Sequence, residues 1–176
     1  MASVVIDLSM SLDGFITGPN PGKEHGLGTG MSDKLHEWLF SGDKPSVYGD
    51  FFKPGAGSAG IVEEMMTESG AMVIGRKLYD IVDGWGGNHP VRGLHAFVVT
   101  HAPPTDVPQG DTQFTFVTDG VESAVRQAKA AAGSKMVGVA GADVAQQALK
   151  AGLADELLIH LVPVLLGEGV RLFDQL

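Results

Sequence analysis

The chain has no cysteine among its 176 residues. Neither a disulfide framework nor a thiolate metal site can be built from it, and a small secreted scaffold stapled by disulfides is excluded. Cationic charge is scarce as well: 12 Lys and Arg stand against 21 Asp and Glu, a formal net charge of −9. That balance argues against nucleic acid or an anionic membrane as a partner, so any anionic ligand must be met by a local basic pocket. No apolar run approaches membrane-spanning length, and Met1 leads into an apolar strand without a basic n-region. A cytoplasmic location is therefore expected. The six histidines, at 25, 36, 89, 95, 101 and 160, show no ligand spacing with nearby acids on one helix face, so no metal is expected.

What is present fits one globular domain spanning 1–176, long enough to bury a proper core. The stretch around which the chain is organised is 135–152, KMVGVAGADVAQQALKAG. Its apolar run from Met136 to Ala140 suits a buried strand, Gly141 breaks it, and 143–150 repeats apolar residues at helical spacing. Asp143 is placed to cap the helix, with Gln146 able to return a bond and Gly152 suited to the far end. A glycine turn opening a helix offers free N–H groups and the positive end of a dipole, which favour a phosphate; the same turn also occurs with nothing bound.

The same strand, glycine, helix grammar recurs at 71–80, where Gly75 is followed at once by Arg76 and Lys77. Further strands are expected at 4–9, 96–100, 114–118 and 156–162, with a strand or turn at 163–173 and an alanine-rich helix at 121–132. Asp13-Gly14 marks a turn, and 17–30, with five glycines and two prolines, reads as a lid, a binding loop or a solvated connection. Residues 32–40 restore helical order with Ser32 as cap, 41–60 look like an insertion carrying Tyr48, Phe51 and Phe52, and 61–69 read as a helix. Trp85, in the loop 83–89, is expected to anchor that loop. The pattern predicts an α/β fold with a mostly parallel central sheet and helices on both faces, whose ligands sit at the carboxyl ends of the strands.

Five segments carry a family resemblance: Met10-Ser11-Leu12-Asp13-Gly14-Phe15-Ile16, Val73-Ile74-Gly75-Arg76-Lys77, Val98-Val99-Thr100-His101, Val139-Ala140-Gly141-Ala142, and 153–157 through 165–173. In this order and spacing the chain resembles the dihydrofolate-reductase-like superfamily, in particular the reductase domain of riboflavin biosynthesis, the RibD C-terminal domain. The resemblance implies a dihydrofolate-reductase-like twisted, mostly parallel sheet and an NADPH-dependent reductase. Gly75, Arg76 and Lys77 would meet the cofactor phosphates, and Thr100 and His101 would flank the adenosine and its 2′-phosphate. Ala140, Gly141, Ala142, Asp143 and Val144 would face the pyrophosphate, and Ile16 and Gly18 would border the nicotinamide.

The implied substrate is a small heterocycle: a pterin, a pyrimidine flavin precursor of the 5-amino-6-(5-phosphoribosylamino)uracil type, or similar. Such a reductase needs few catalytic side chains, because the hydride is the cofactor's own chemistry. Candidate proton donors are Asp33, which shares a helix face with Glu37 at i, i+4, and Asp13 at the turn. Matching Trp38 to an aromatic of the family's helix instead puts Leu35 at the acid position. Ala142 replaces a second glycine usual in the phosphate turn, Asp143 brings a carboxylate beside the phosphate, and the chain stops where the family continues through two more strands. The alternative to a reductase is a non-catalytic NADP(H)-binding protein without a working proton donor; a purely structural, oligomer-forming domain is the third reading. A homodimer is expected.

Overall fold

The computed structural model describes residues 2–46 and 49–174; Tyr48 of the insertion and the end of the final segment, 175–176, lie outside it. Eight strands are present, β1 Val4–Ser11, β2 Phe15–Thr17, β3 Ser69–Gly75, β4 His95–Val99, β5 Gln113–Val117, β6 Met136–Ala140, β7 Glu156–Val162 and β8 Val170–Arg171. The helices are α1 Ala59–Glu68, α2 Arg76–Ile81, α3 Val121–Ala132 and α4 Ala142–Lys150, with 3-10 helices at Ser32–Leu39 and Asp83–Gly87. Six strands form one wholly parallel sheet in the order β5-β4-β3-β6-β1-β7, and β2 pairs antiparallel with β8 in a small second sheet.

Parallel central strands are covered on both faces, which is why β1, β3 and β6 read as near-continuous apolar runs. Val4, Ile6, Val73, Val137 and Val139 face α3 and α4, where Ala124, Ala128, Ala145 and Ala148 let the helices lie close. Leu172, beyond β8, is fully buried in this core. On the opposite face Ile74 and Val98 pack under Tyr79 of α2, with Phe114 and Phe116 beside them. A second small cluster ties Leu39 of the first 3-10 helix to Phe52 and Val62. Thus the insertion does pack on the body through Phe52. β7 forms one edge of the sheet and leaves Leu157, Leu158 and Leu161 exposed.

Two expected caps are corrected. Gly141 occupies the N-cap of α4, with no side-chain cap bond, while the Asp143 carboxylate accepts from Gln147 Nε2 at 2.9 Å one turn on. Gln146 turns away to donate to the carbonyls of Arg171 and Leu172. The reason is steric: φ of +94° at Gly141 already sets the entry into the helix, a conformation only glycine adopts freely. Likewise Met31 stands at the N-cap of Ser32–Leu39, and Ser32 is buried and donates to the Gly28 carbonyl, fastening the glycine-rich loop to the helix start.

His89 is held by the fold in its neutral form. Burial pushes its pKa down to about 4, although Nδ1 accepts a hydrogen bond from Val91 N at 3.0 Å. Between that value and the ordinary 6.5 the unfolded chain binds the extra proton, so stability falls as pH drops through this window. His36, lowered mainly by burial, acts in the same direction. The expected loss between pH 7 and about 4.5 is roughly 2–3 kcal/mol from His89. Urea unfolding at the two pH values measures it, and His89→Gln should flatten the slope.

Candidate functional site

A cavity of about 640 Å³ is lined by residues of β1, β3, β6 and β7, by α2 and by the start of α4. Its position follows from the strand order: the chain leaves β1, skips one place to β3, and later returns to fill the gap with β6, so α4 starts at the middle of the sheet. Ligands favour such switch points.

The start of α4 opens onto this cavity. Gly75, Gly141, Ala142, Asp143 and Val144 line it, and the first N–H groups of α4 have no intrahelical acceptor. Lys77 lines the same cavity and forms no ion pair among the described residues. Arg76 stands just outside. Its Nε donates to Asp80 at 2.9 Å and its Nη1 to the Ala102 carbonyl at 2.8 Å, which fixes the guanidinium against the turn after β4. Thr100 is buried in that turn, its hydroxyl donating to the Ala102 carbonyl, and His101 is exposed. Arg76, Thr100 and His101 therefore lie outside the lining of the cavity, with the Arg76 guanidinium already paired with Asp80. The carboxylate of Asp143 does remain at the start of α4, bonded to Gln147 rather than turned inward.

Ile16 and Ala140 line the cavity. Gly18 does not; its amide donates to the Leu27 carbonyl, and a side chain there would strike the Thr29 carbonyl at 2.2 Å, so this glycine closes the base of the loop. Pro21 and Leu27 from that loop, and Phe51 and Phe52 from the insertion, complete the rim. Trp85 also lines the cavity, so it does more than anchor its loop. It sits in a left-handed turn, φ +52°, edge-on to His89 with ring centres 4.5 Å apart. Strained backbone of this kind gathers at ligand sites.

Neither expected proton donor is on the cavity wall. Asp33 is exposed, and because its helix is 3-10 rather than α, residues four apart do not share a face; Glu37 pairs with Lys34 instead. Leu35, at the alternative acid position, is fully buried. Asp13 holds the turn after β1: it accepts from Ser11 Oγ at 2.6 Å, Leu166 N at 3.1 Å and Gly167 N at 2.7 Å. The Ser11 bond leads in drawing its pKa down to about 2. A carboxyl that stays ionised at neutral pH has no proton to give.

The cavity also carries polar residues outside the motif-based reading. Asp7 and Ser9 of β1, His36 and Trp38 of the 3-10 helix, and His160 of β7 all line it. His160 Nε2 meets Asp7 Oδ1 at 2.7 Å, Trp38 lies over the imidazole with centroids 4.6 Å apart, and Trp38 Nε1 donates to Ser9 Oγ at 3.0 Å. The signal was in the alternation. Asp7 and Ser9 interrupt an apolar strand at period two, and His160 interrupts ELLIHLV; buried polar residues in such runs are the informative ones.

Comparisons agree with this architecture. A curated relative, the uncharacterized protein YwjB of Bacillus subtilis (strain 168), is 27% identical over 174 residues, covering 98% of this chain and 83% of that protein. The crystal structure of a Shewanella sp. PV-4 protein named for riboflavin biosynthesis matches with a TM-score of 0.63 and 27% identity, over 100% of this chain and 85% of that one. Dihydrofolate reductase from Enterococcus faecalis, in complex with NADP(H), shares the fold at a TM-score of 0.56 and 12% identity, over 99% of this chain and 78% of that one. The fold is thus dihydrofolate-reductase-like. The family model of the RibD C-terminal domain matches residues 2–176, and the chain belongs to that family.

Proposed function

We propose that the protein is an NADPH-dependent reductase of a pterin, a pyrimidine flavin precursor or a similar flat heterocycle. The observation that carries the reading is the chemistry of the cavity lining. The free N–H groups of α4 and Lys77, in no ion pair among the described residues, suit a pyrophosphate, with Arg76 and Thr100 just outside the lining for a 2′-phosphate. The fit is chemical: in an acidic protein, Lys77 puts a cation in no ion pair among the described residues on the wall of this cavity. In the same lining Trp38, Phe51 and Phe52 offer flat apolar surface for a ring. When bound, the dinucleotide supplies hydride; the chain's own residues bind it, orient it and exclude water.

The second reading, an NADP(H)-binding protein without turnover, draws on the displacement of Asp13 and Asp33 from the cavity. NADPH consumption separates the two. Incubation with NADPH and, in turn, 7,8-dihydrofolate, 7,8-dihydrobiopterin and the pyrimidine flavin precursor should show acceptor-dependent oxidation with at least one. Cofactor binding with no oxidation by any of them would favour the second reading.

A further inference from the structure

We infer that Asp7 and His160 form the acid couple of the cavity, which grips the hydrogen-bonding edge of a nitrogen heterocycle and delivers its proton. The inference rests on the reductase reading and adds the residues that reading lacks. Three strands of observation meet here. The pair is close and shielded: 2.7 Å apart, with side chains only 16% and 13% exposed. It stands on the two strands β1 and β7, registered with Asp7 opposite Leu158 and Ser9 opposite His160, so the imidazole reaches back one row to the carboxylate. And both residues line the same cavity as Lys77 and the start of α4.

The geometry assigns a role to each atom. Asp7 Oδ1 takes Nε2 of His160, leaving Nδ1 with no protein partner among the described residues and Asp7 Oδ2 equally free. A carboxylate on one imidazole nitrogen fixes the ring and leaves the other nitrogen to face a ligand, as in other acid-base couples. Trp38 covers one face of the imidazole and is itself pinned by Ser9. The titratable groups facing His160 are Asp7 from β1 and His36 from the 3-10 helix. Burial holds His36 low, with the neighbouring charge of His160 adding to the effect, and its Nδ1 is buried with no partner. His36 is thus a poor store for the proton.

The balance closes. The dinucleotide of the proposed function would supply the hydride, two electrons and one proton, to the carbon of a C=N or C=O bond and would be left oxidised. The electron pair of that bond moves to the nitrogen or oxygen, which takes a proton from His160 Nδ1. His160 is then reprotonated from water. Asp7 stays a carboxylate throughout and holds the ring.

The test is calorimetry on protein saturated with NADP⁺, so that no turnover occurs, with 7,8-dihydrobiopterin and 5,6-diaminouracil as probes. At least one should bind to the wild type. Asp7→Asn and His160→Gln should each weaken that binding at least tenfold, with NADP⁺ affinity kept within twofold. If a variant does not fold, ¹⁵N imidazole shifts of wild-type His160 with and without probe decide: movement at Nδ1 supports the couple. Binding unaffected by either substitution, unmoved shifts, or no binding of either probe to the NADP⁺ complex would overturn the inference and leave the cofactor reading standing. Absence of NADP⁺ binding would overturn both.

Discussion

The double variant Arg76→Ala, Lys77→Ala is expected to bind NADPH about a hundredfold more weakly than the wild type and to lose its preference over NADH. The two side chains act differently. Lys77 lines the cavity without an ion pair, so a phosphate would be its first anionic partner, and hydrogen bonds to charged groups are worth about 1.5–3 kcal/mol. Removing it should weaken NADPH and NADH alike, by about tenfold or more. Arg76 is already answered by Asp80 at 2.9 Å and by the Ala102 carbonyl, so a 2′-phosphate gains from it only what remains of the guanidinium. Its removal should cost NADPH about tenfold and NADH almost nothing. Single-variant titrations resolve these shares; an Arg76→Ala variant that weakened both dinucleotides equally would place the 2′-phosphate away from Arg76.

Gly169→Ala should be the most destabilising single exchange in the small second sheet. Gly169 has φ +141° and precedes β8, and a Cβ there would stand 2.1 Å from the Thr17 carbonyl and 3.1 Å from Gly18. Backbone cannot yield as a flexible side chain can, so the β2–β8 pairing must open. The expected loss is about 3 kcal/mol, a fall in Tm of roughly 6–12 °C for a chain of this size. Gly167→Ala is the control. Its φ is +76° but its Cβ would meet nothing, so only the conformational strain of about 1 kcal/mol applies. Because Ile16, Thr17 and Val170 line the cavity, the Gly169 variant should also bind dinucleotide more weakly.

How legible all this was depended on how local each cause is. The strands at 71–75, 96–100 and 136–140 could be read because buried parallel strands need unbroken apolar runs, and the start of α4 because Gly141 has a local backbone reason. The caps failed for the same kind of reason seen from the other side: a glycine with positive φ displaced Asp143, and loop packing against Gly28 recruited Ser32. Asp33 misled because face sharing was argued for an α-helix where a 3-10 helix forms. Asp7 and His160 are 153 residues apart in sequence, and only the pairing of β1 with β7 makes them a couple. No spacing rule reaches that far, although each interrupts an apolar strand in a visible way.

The central claim is that this cavity is a dinucleotide site with the phosphates at the start of α4. Trp38 and Trp85, the two tryptophans of the chain, both line it, so their fluorescence reports occupancy directly. Titration of the wild-type protein with NADPH and with NADH is the most direct test. The account predicts saturable quenching by NADPH at micromolar concentration, with NADH at least tenfold weaker. Failure of both dinucleotides to change the fluorescence, supported by absent heat of binding, would contradict it.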